Sequence, residues 1–257
     1  MGKTRRKFLT GCLGAAWIAA EAQTPNSDIT IATLRGLGQF SLGLLDGRST
    51  ISRTDYSGSA VGAREIFGFN ENYRDIVNRR TNIEKEKRDY LIFVIEGVQE
   101  IVKAGYPINP RVMTAMAPLE TDWGRDPVAQ RGNNHFGMKA YAGDPSINNI
   151  PTREEINGRD IRIQANFKRF SAPIDSFYDH ANMLSTLDHY RGTTRCNSGD
   201  GAYIDDLLNE TADDSCSNIL IPQGSSGSLP YATDRDYKSI TLDIIDSWSL
   251  DEIYPTS

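Results

Sequence analysis

The stretch "NPRVMTAMAPLETDWG", Asn109 to Gly124, decides the reading of this chain. Asn109 followed by Pro110 is a helix start. The asparagine side chain caps free amides, and proline takes the first helical position, where its missing N–H costs nothing. An otherwise apolar run follows, with Met113 and Met116 read as core, so the segment reads as a buried helix. Pro118 should kink it or open its last turn, and Gly124 should end it. Within this apolar run, two residues past Pro118, sits Glu120. Glutamate is among the residues least often buried, and a solvent-facing position is its ordinary place. A carboxylate here calls for a reason.

Outward from this helix the periods change twice. Before it, "RDYLIFVIEGVQEIVKAG" carries Leu91, Val94, Ile95, Val98, Ile101 and Val102 at three- and four-residue steps, a helix stopped near Gly105. Residues 125–145 read as loop, with "GNNHFG" at the centre and Met138 as core. In "TREEINGRDIRIQANFKRF" the Asn157-Gly158 pair marks a hairpin turn, and Ile161, Ile163, Ala165 and Phe167 alternate with polar residues as in a strand. Helical spacing returns from Phe177 through Ala181 to Leu184. A Gly/Ser/Asp-rich insertion and a final helix close the chain. Helices, one hairpin, then helices predict an α+β protein, mostly helical, with a small β lobe.

The bulk properties narrow the function. A chain of 257 residues is long enough for one or two domains with a sizeable core, and its net charge of -6 argues against a nucleic-acid partner. Residues 1–22 read as an export signal: "MGKTRRK" is basic, "FLTGCLGAAWIAA" is apolar but too short to span a bilayer, and Ala20-Glu21-Ala22 fits a cleavage site. Arg5-Arg6 before Phe8-Leu9 resembles a twin-arginine signal. The mature protein is expected outside the cytoplasm, in the periplasm or beyond the cell, without stable membrane insertion. Residues 23–85 read as a poorly packed leader. Cleavage leaves Cys196 and Cys216, which in an exported protein are expected to pair. Scattered His135, His180 and His189 and the isolated cysteines fit no metal spacing, so no metal and no cofactor is expected.

With the pieces in order, a family resemblance is plain. P-L-E-T-D-W-G, N-N-H-F-G-M-K-A, T-R-E-E-I-N-G, A-N-F-K-R-F and P-Y-A-T-D-R-D-Y follow one another between about residues 88 and 248. That succession resembles the bacterial β-N-acetylglucosaminidases of glycoside hydrolase family 73, the flagellar rod-cap and autolysin-type enzymes. The resemblance implies a lysozyme-like domain over residues 86–257 that cleaves the β-1,4 bond after N-acetylglucosamine, with peptidoglycan glycan strands as its partner. Departures are Pro118 before Leu-Glu, His135 in place of leucine, a longer cysteine-bearing insertion, and residues 23–85, which match nothing. Those last residues are left as a docking element for an assembly partner.

Glycoside cleavage needs a proton delivered to the leaving oxygen, and an apolar pocket keeps a carboxylic acid protonated near neutral pH. That supplies the reason for Glu120, the expected general acid. The hairpin of the resemblance carries a second carboxylate, matched by Glu154. Glu155 is adjacent and would face the other side of the strand, and Glu154 is preferred. Tyr231 is expected to assist the reaction, positioning the acetamido group or the water. Asp234, Trp123, Asn133, Asn134 and Phe136 are expected to bind sugar. Two other readings stand beside this one: a muramidase or lytic transglycosylase of lysozyme-like fold, and a non-catalytic wall-binding assembly protein.

Overall fold

The computed structural model describes residues 62–141, 143–156, 159–186, 199–208 and 236–256; at 153–156, 159–161 and 186 it describes the backbone alone. A single turn of 3-10 helix at Ala63–Glu65 comes first. Then follow α1 (Tyr73–Asn78), α2 (Lys85–Lys103), α3 (Pro110–Thr121), α4 (Pro127–Gly132), β1 (Ser146–Ile156), β2 (Arg159–Lys168), α5 (Pro173–Thr186), α6 (Asp200–Leu208), α7 (Tyr237–Ser247) and α8 (Leu250–Ile253). Among the described residues the protein is mostly helical with one antiparallel two-stranded sheet, as the periods predicted.

Helix α2 is the centre of the molecule. Leu91, Val94, Ile95, Val98, Ile101 and Val102 are all buried, and so are Tyr90, Ile92 and Phe93 on its other sides. A helix apolar nearly all round must be wrapped, and α1, α3 and α5 pack against it. The wrapping is close: a Cβ added at Gly97 would lie 2.6 Å from the Phe177 ring of α5. Phe177, Ala181 and Leu184 are buried as their spacing predicted, as are Met113, Met116 and Met138. Helix α3 starts as its sequence dictates, with Asn109 Oδ1 accepting from the amides of Arg111 (3.0 Å) and Val112 (3.2 Å). It continues through Pro118 and ends at Thr121, before Gly124, in a run of left-handed residues.

The sheet is a separate small lobe. Strand β1 pairs with β2 from Ser146↔Lys168 to Ile156↔Arg159, with a bulge between Ile147 and Ile150. Exposure alternates along β2, with Phe167 buried and Arg162, Gln164 and Asn166 exposed. Phe167 and Ile150 pack with Val128 of α4 into a second, minor core. The turn at Asn157-Gly158 lies outside the described residues.

Three expectations are corrected. Residues 125–145 are not all loop: α4 begins at Pro127, capped by Asp126 Oδ1 on the Val128 amide at 2.8 Å. Asp126-Pro127 is the same start signal as Asn109-Pro110, but a helix of six residues, under two turns, shows no period to detect. The cysteine-bearing insertion contains α6, whose Tyr203, Ile204 and Leu207 enter the main core. Residues 62–84, taken as the end of a poorly packed leader, also belong to that core through Ala63, Phe67, Ile76 and Val77. They clasp the C-terminal end: Phe67 bridges Thr256, and the Gly68 amide donates to the Pro255 carbonyl at 2.7 Å. Isolated anchors of this kind carry no periodicity, which is why pattern alone overlooked them. The expected export signal, residues 23–61 and both cysteines lie outside the described residues.

Candidate functional site

Glu120 sits on the last turn of α3 with 4% of its surface exposed. Its burial follows from its neighbours. Helix α3 is sandwiched against α2, α6 and α7, so nearly every face of it is interior. The Tyr237 hydroxyl, at the start of α7, donates to Glu120 Oε1 at 3.2 Å. Oε2 is buried and has no partner among the described residues. Desolvation pushes the carboxyl up from 4.5 to about 8, against a smaller lowering by the tyrosine. The group therefore carries its proton at neutral pH. With Oε1 accepting from Tyr237, that proton belongs on Oε2.

Tyr237 was not among the sequence candidates. It is the closing tyrosine of "YATDRDY", so the signal was present, but only packing of α7 on α3 shows which acid it reaches. Tyr231 and Asp234 lie outside the described residues. Of Glu154 and Glu155 the structure gives the backbone alone: they pair with Ile161 and Asp160.

The expected sugar-binding residues fare differently from one another. Trp123 is half-buried, its ring 5.4 Å from that of Trp248 and covered by Lys87 Nζ at 5.5 Å. Asn133 caps α4 in a left-handed conformation (φ 50°) and donates to the Phe170 carbonyl. Asn134 is fully buried, donating to the carbonyls of Met138 and Lys168 and accepting from the Met138 amide. Phe136 is fully buried, stacked on His180 at 4.0 Å and edge-on to Phe177. Asn134 and Phe136 thus hold the loop to the core. The pattern in "NNHFG" was legible; its job was not, because a loop clip and a sugar clamp use the same side chains.

A second polar cluster lies behind Glu120. Thr121 Oγ1 donates to the Ala117 carbonyl (2.6 Å), accepts from the Gly124 amide (3.0 Å) and meets Tyr90 Oη at 2.9 Å. Tyr90 Oη in turn lies 3.1 Å from His135 Nδ1. Burial raises the Tyr90 phenol and pushes His135 down to about 3, so both are neutral.

The chain resembles known proteins along most of this region. It is 29% identical over 170 residues to the exo-glucosaminidase LytG of Bacillus subtilis, covering 66% of this chain and 54% of that protein. It is 30% identical over 89 residues to the peptidoglycan hydrolase FlgJ of Pseudomonas aeruginosa, covering 33% of this chain and 22% of that one. The chain thus spans at most about half the length of these relatives. Among solved structures, the catalytic domain of the autolysin Auto from Listeria monocytogenes aligns with a TM-score of 0.49 at 25% identity, over 71% of this chain and 96% of that one. The family model described as mannosyl-glycoprotein endo-beta-N-acetylglucosaminidase matches residues 98–250, more than half of the chain and all of α3 and α7. With Glu120 and Tyr237 both inside that match, the protein belongs to the glucosaminidase family.

Proposed function

We propose that the protein hydrolyses peptidoglycan at the β-1,4 bond after N-acetylglucosamine, with Glu120 as general acid. The protonated Glu120 carboxyl carries this reading: Tyr237 occupies Oε1, and Oε2 is left to hold the proton. A buried polar atom without a partner calls for an explanation, and the glycosidic oxygen of a bound strand is the natural one. The relatives, an exo-glucosaminidase, an autolysin and a peptidoglycan hydrolase, favour bacterial wall over mannosyl-glycoprotein as substrate.

Glu154 is the second carboxylate in this reading. It either activates water or stabilises the cation formed by the substrate's own acetamido group, a recognised alternative to a covalent intermediate. Tyr231 and Asp234 precede Tyr237 by a few residues and belong to the same site. Export through residues 1–22, a Cys196–Cys216 disulfide, and partner docking through residues preceding the described fold complete the proposal. No helix among the described residues is long and apolar enough to cross a membrane.

Mass spectrometry of fragments from purified peptidoglycan tests the reaction. Reducing-end N-acetylglucosamine is expected. Reducing-end muramic acid would make the protein a muramidase, and anhydro ends a transglycosylase. Glu154→Gln should slow turnover strongly and Glu155→Gln little; the reverse pattern would shift the hairpin assignment by one residue.

A further inference from the structure

We propose that His135 and Tyr90 are positioning residues for Glu120, holding the end of α3 through a hydrogen-bond chain of fixed direction: His135 Nδ1–H to Tyr90 Oη, Tyr90 O–H to Thr121 Oγ1, and Thr121 O–H to the Ala117 carbonyl. The proposal rests on the reading of Glu120 as the acid.

The direction follows from which groups can donate. The Ala117 carbonyl only accepts, so the Thr121 hydroxyl spends its proton there, at 2.6 Å. Its oxygen then takes the Tyr90 proton at 2.9 Å and the Gly124 amide at 3.0 Å. With the phenol proton committed, the 3.1 Å contact between Tyr90 Oη and His135 Nδ1 is a hydrogen bond only if Nδ1 carries a hydrogen. His135 is therefore neutral and in its Nδ1–H tautomer. Its ring lies among Tyr90 and Phe93 of α2 and Phe177 of α5, an apolar setting that keeps it uncharged.

The end of α3 needs such a hold. Pro118 has no amide to offer the Thr114 carbonyl, so the last turn lacks one of its own bonds. Beyond Thr121 the chain turns left-handed at three successive residues, Asp122 (φ 48°), Trp123 (φ 59°) and Gly124 (φ 74°). For the two that are not glycine this backbone conformation is sterically unfavourable. Gly124 also lies against Tyr90, where an added Cβ would come within 2.5 Å of the ring. Thr121 is the residue after Glu120, so what fixes Thr121 fixes the backbone from which the Glu120 side chain departs. His135 is also one of the positions, with Pro118, at which the chain departs from the pattern it resembles.

Imidazole 15N NMR of the intact protein reads the tautomer without substrate, and the expected result is neutral His135 with its proton on Nδ1 between pH 6 and 8. On soluble peptidoglycan fragments, His135→Leu and Tyr90→Phe should each lower kcat about tenfold, the value of one orienting hydrogen bond, with KM unchanged. His135→Asn, which keeps an N–H near Nδ1, should restore most of kcat. An Nε2–H or charged His135 would overturn the proposal, as would variants that lose thermal stability while their folded fraction keeps full kcat. If His135→Leu does not fold, Tyr90→Phe and the NMR measurement decide. If instead Glu120→Gln stays active, the functional reading falls, while the tautomer still reports whether the chain of bonds exists.

Discussion

The Tyr237 hydroxyl donates to Glu120 Oε1 at 3.2 Å, joining α7 to α3 across 117 positions of sequence. This bond favours the ionised carboxylate, whereas burial favours the acid, and burial prevails. The tyrosine thus orients the carboxyl and trims its proton affinity.

Activity should therefore fall as pH rises through about 8, where Glu120 gives up its proton. Tyr237→Phe removes the lowering influence and should move that alkaline limb upward, while kcat drops about tenfold through lost orientation. Glu120→Gln should abolish the limb along with about 10²–10⁴-fold of the rate. Steady-state pH profiles check both.

Glu120 also sets a pH dependence of stability. Its folded value, about 8, lies above its ordinary 4.5, so the native state holds a proton that the unfolded chain releases. Stability from this group is full below pH 4.5 and declines as pH rises from 4.5 to 8. Glu120→Gln should be more stable than wild type at pH 7.5, on the order of 3 kcal/mol, and equal to it near pH 4. Urea unfolding at the two pH values measures the difference. A site that weakens the fold to hold a proton is a familiar exchange of stability for activity.

The two buried histidines act in the opposite sense. His135 and His180 are pushed from 6.5 down to about 3 by desolvation, so unfolding lets each take up a proton in acid. Their contribution is intact above pH 6.5 and is lost as pH falls below it, about 2 kcal/mol each by pH 5. His180→Phe, which preserves a flat ring against Phe136, should remove one such increment; comparing unfolding free energies at pH 7 and pH 5 detects it.

The N-terminal clasp predicts where the domain can be cut. Phe67, Ile76 and Val77 are buried in the same core as α2, and side-chain burial of this kind stabilises by about 1.5–3 kcal/mol each. A chain beginning at Lys85 should melt well below one beginning at Gly62, or fail to fold. Equal melting temperatures would place the boundary at residue 85 after all.

The sequence by itself determined the local elements and singled out Glu120. Leu91 to Val102 and Phe177 to Leu184 announce buried helices because their spacing matches a helical face. Asn109-Pro110 announces the start of α3 because capping is a matter of neighbouring atoms, and a lone carboxylate in an apolar run announces Glu120. What lies far apart in the chain was decided only by tertiary structure. Periodicity cannot tell that Tyr237 reaches Glu120, that Phe67 clasps Thr256, or that Asn134 and Phe136 hold a loop to the core. The proton on Oε2 is likewise a tertiary property: desolvation depends on what α2, α6 and α7 together exclude from α3, and no single segment carries that information.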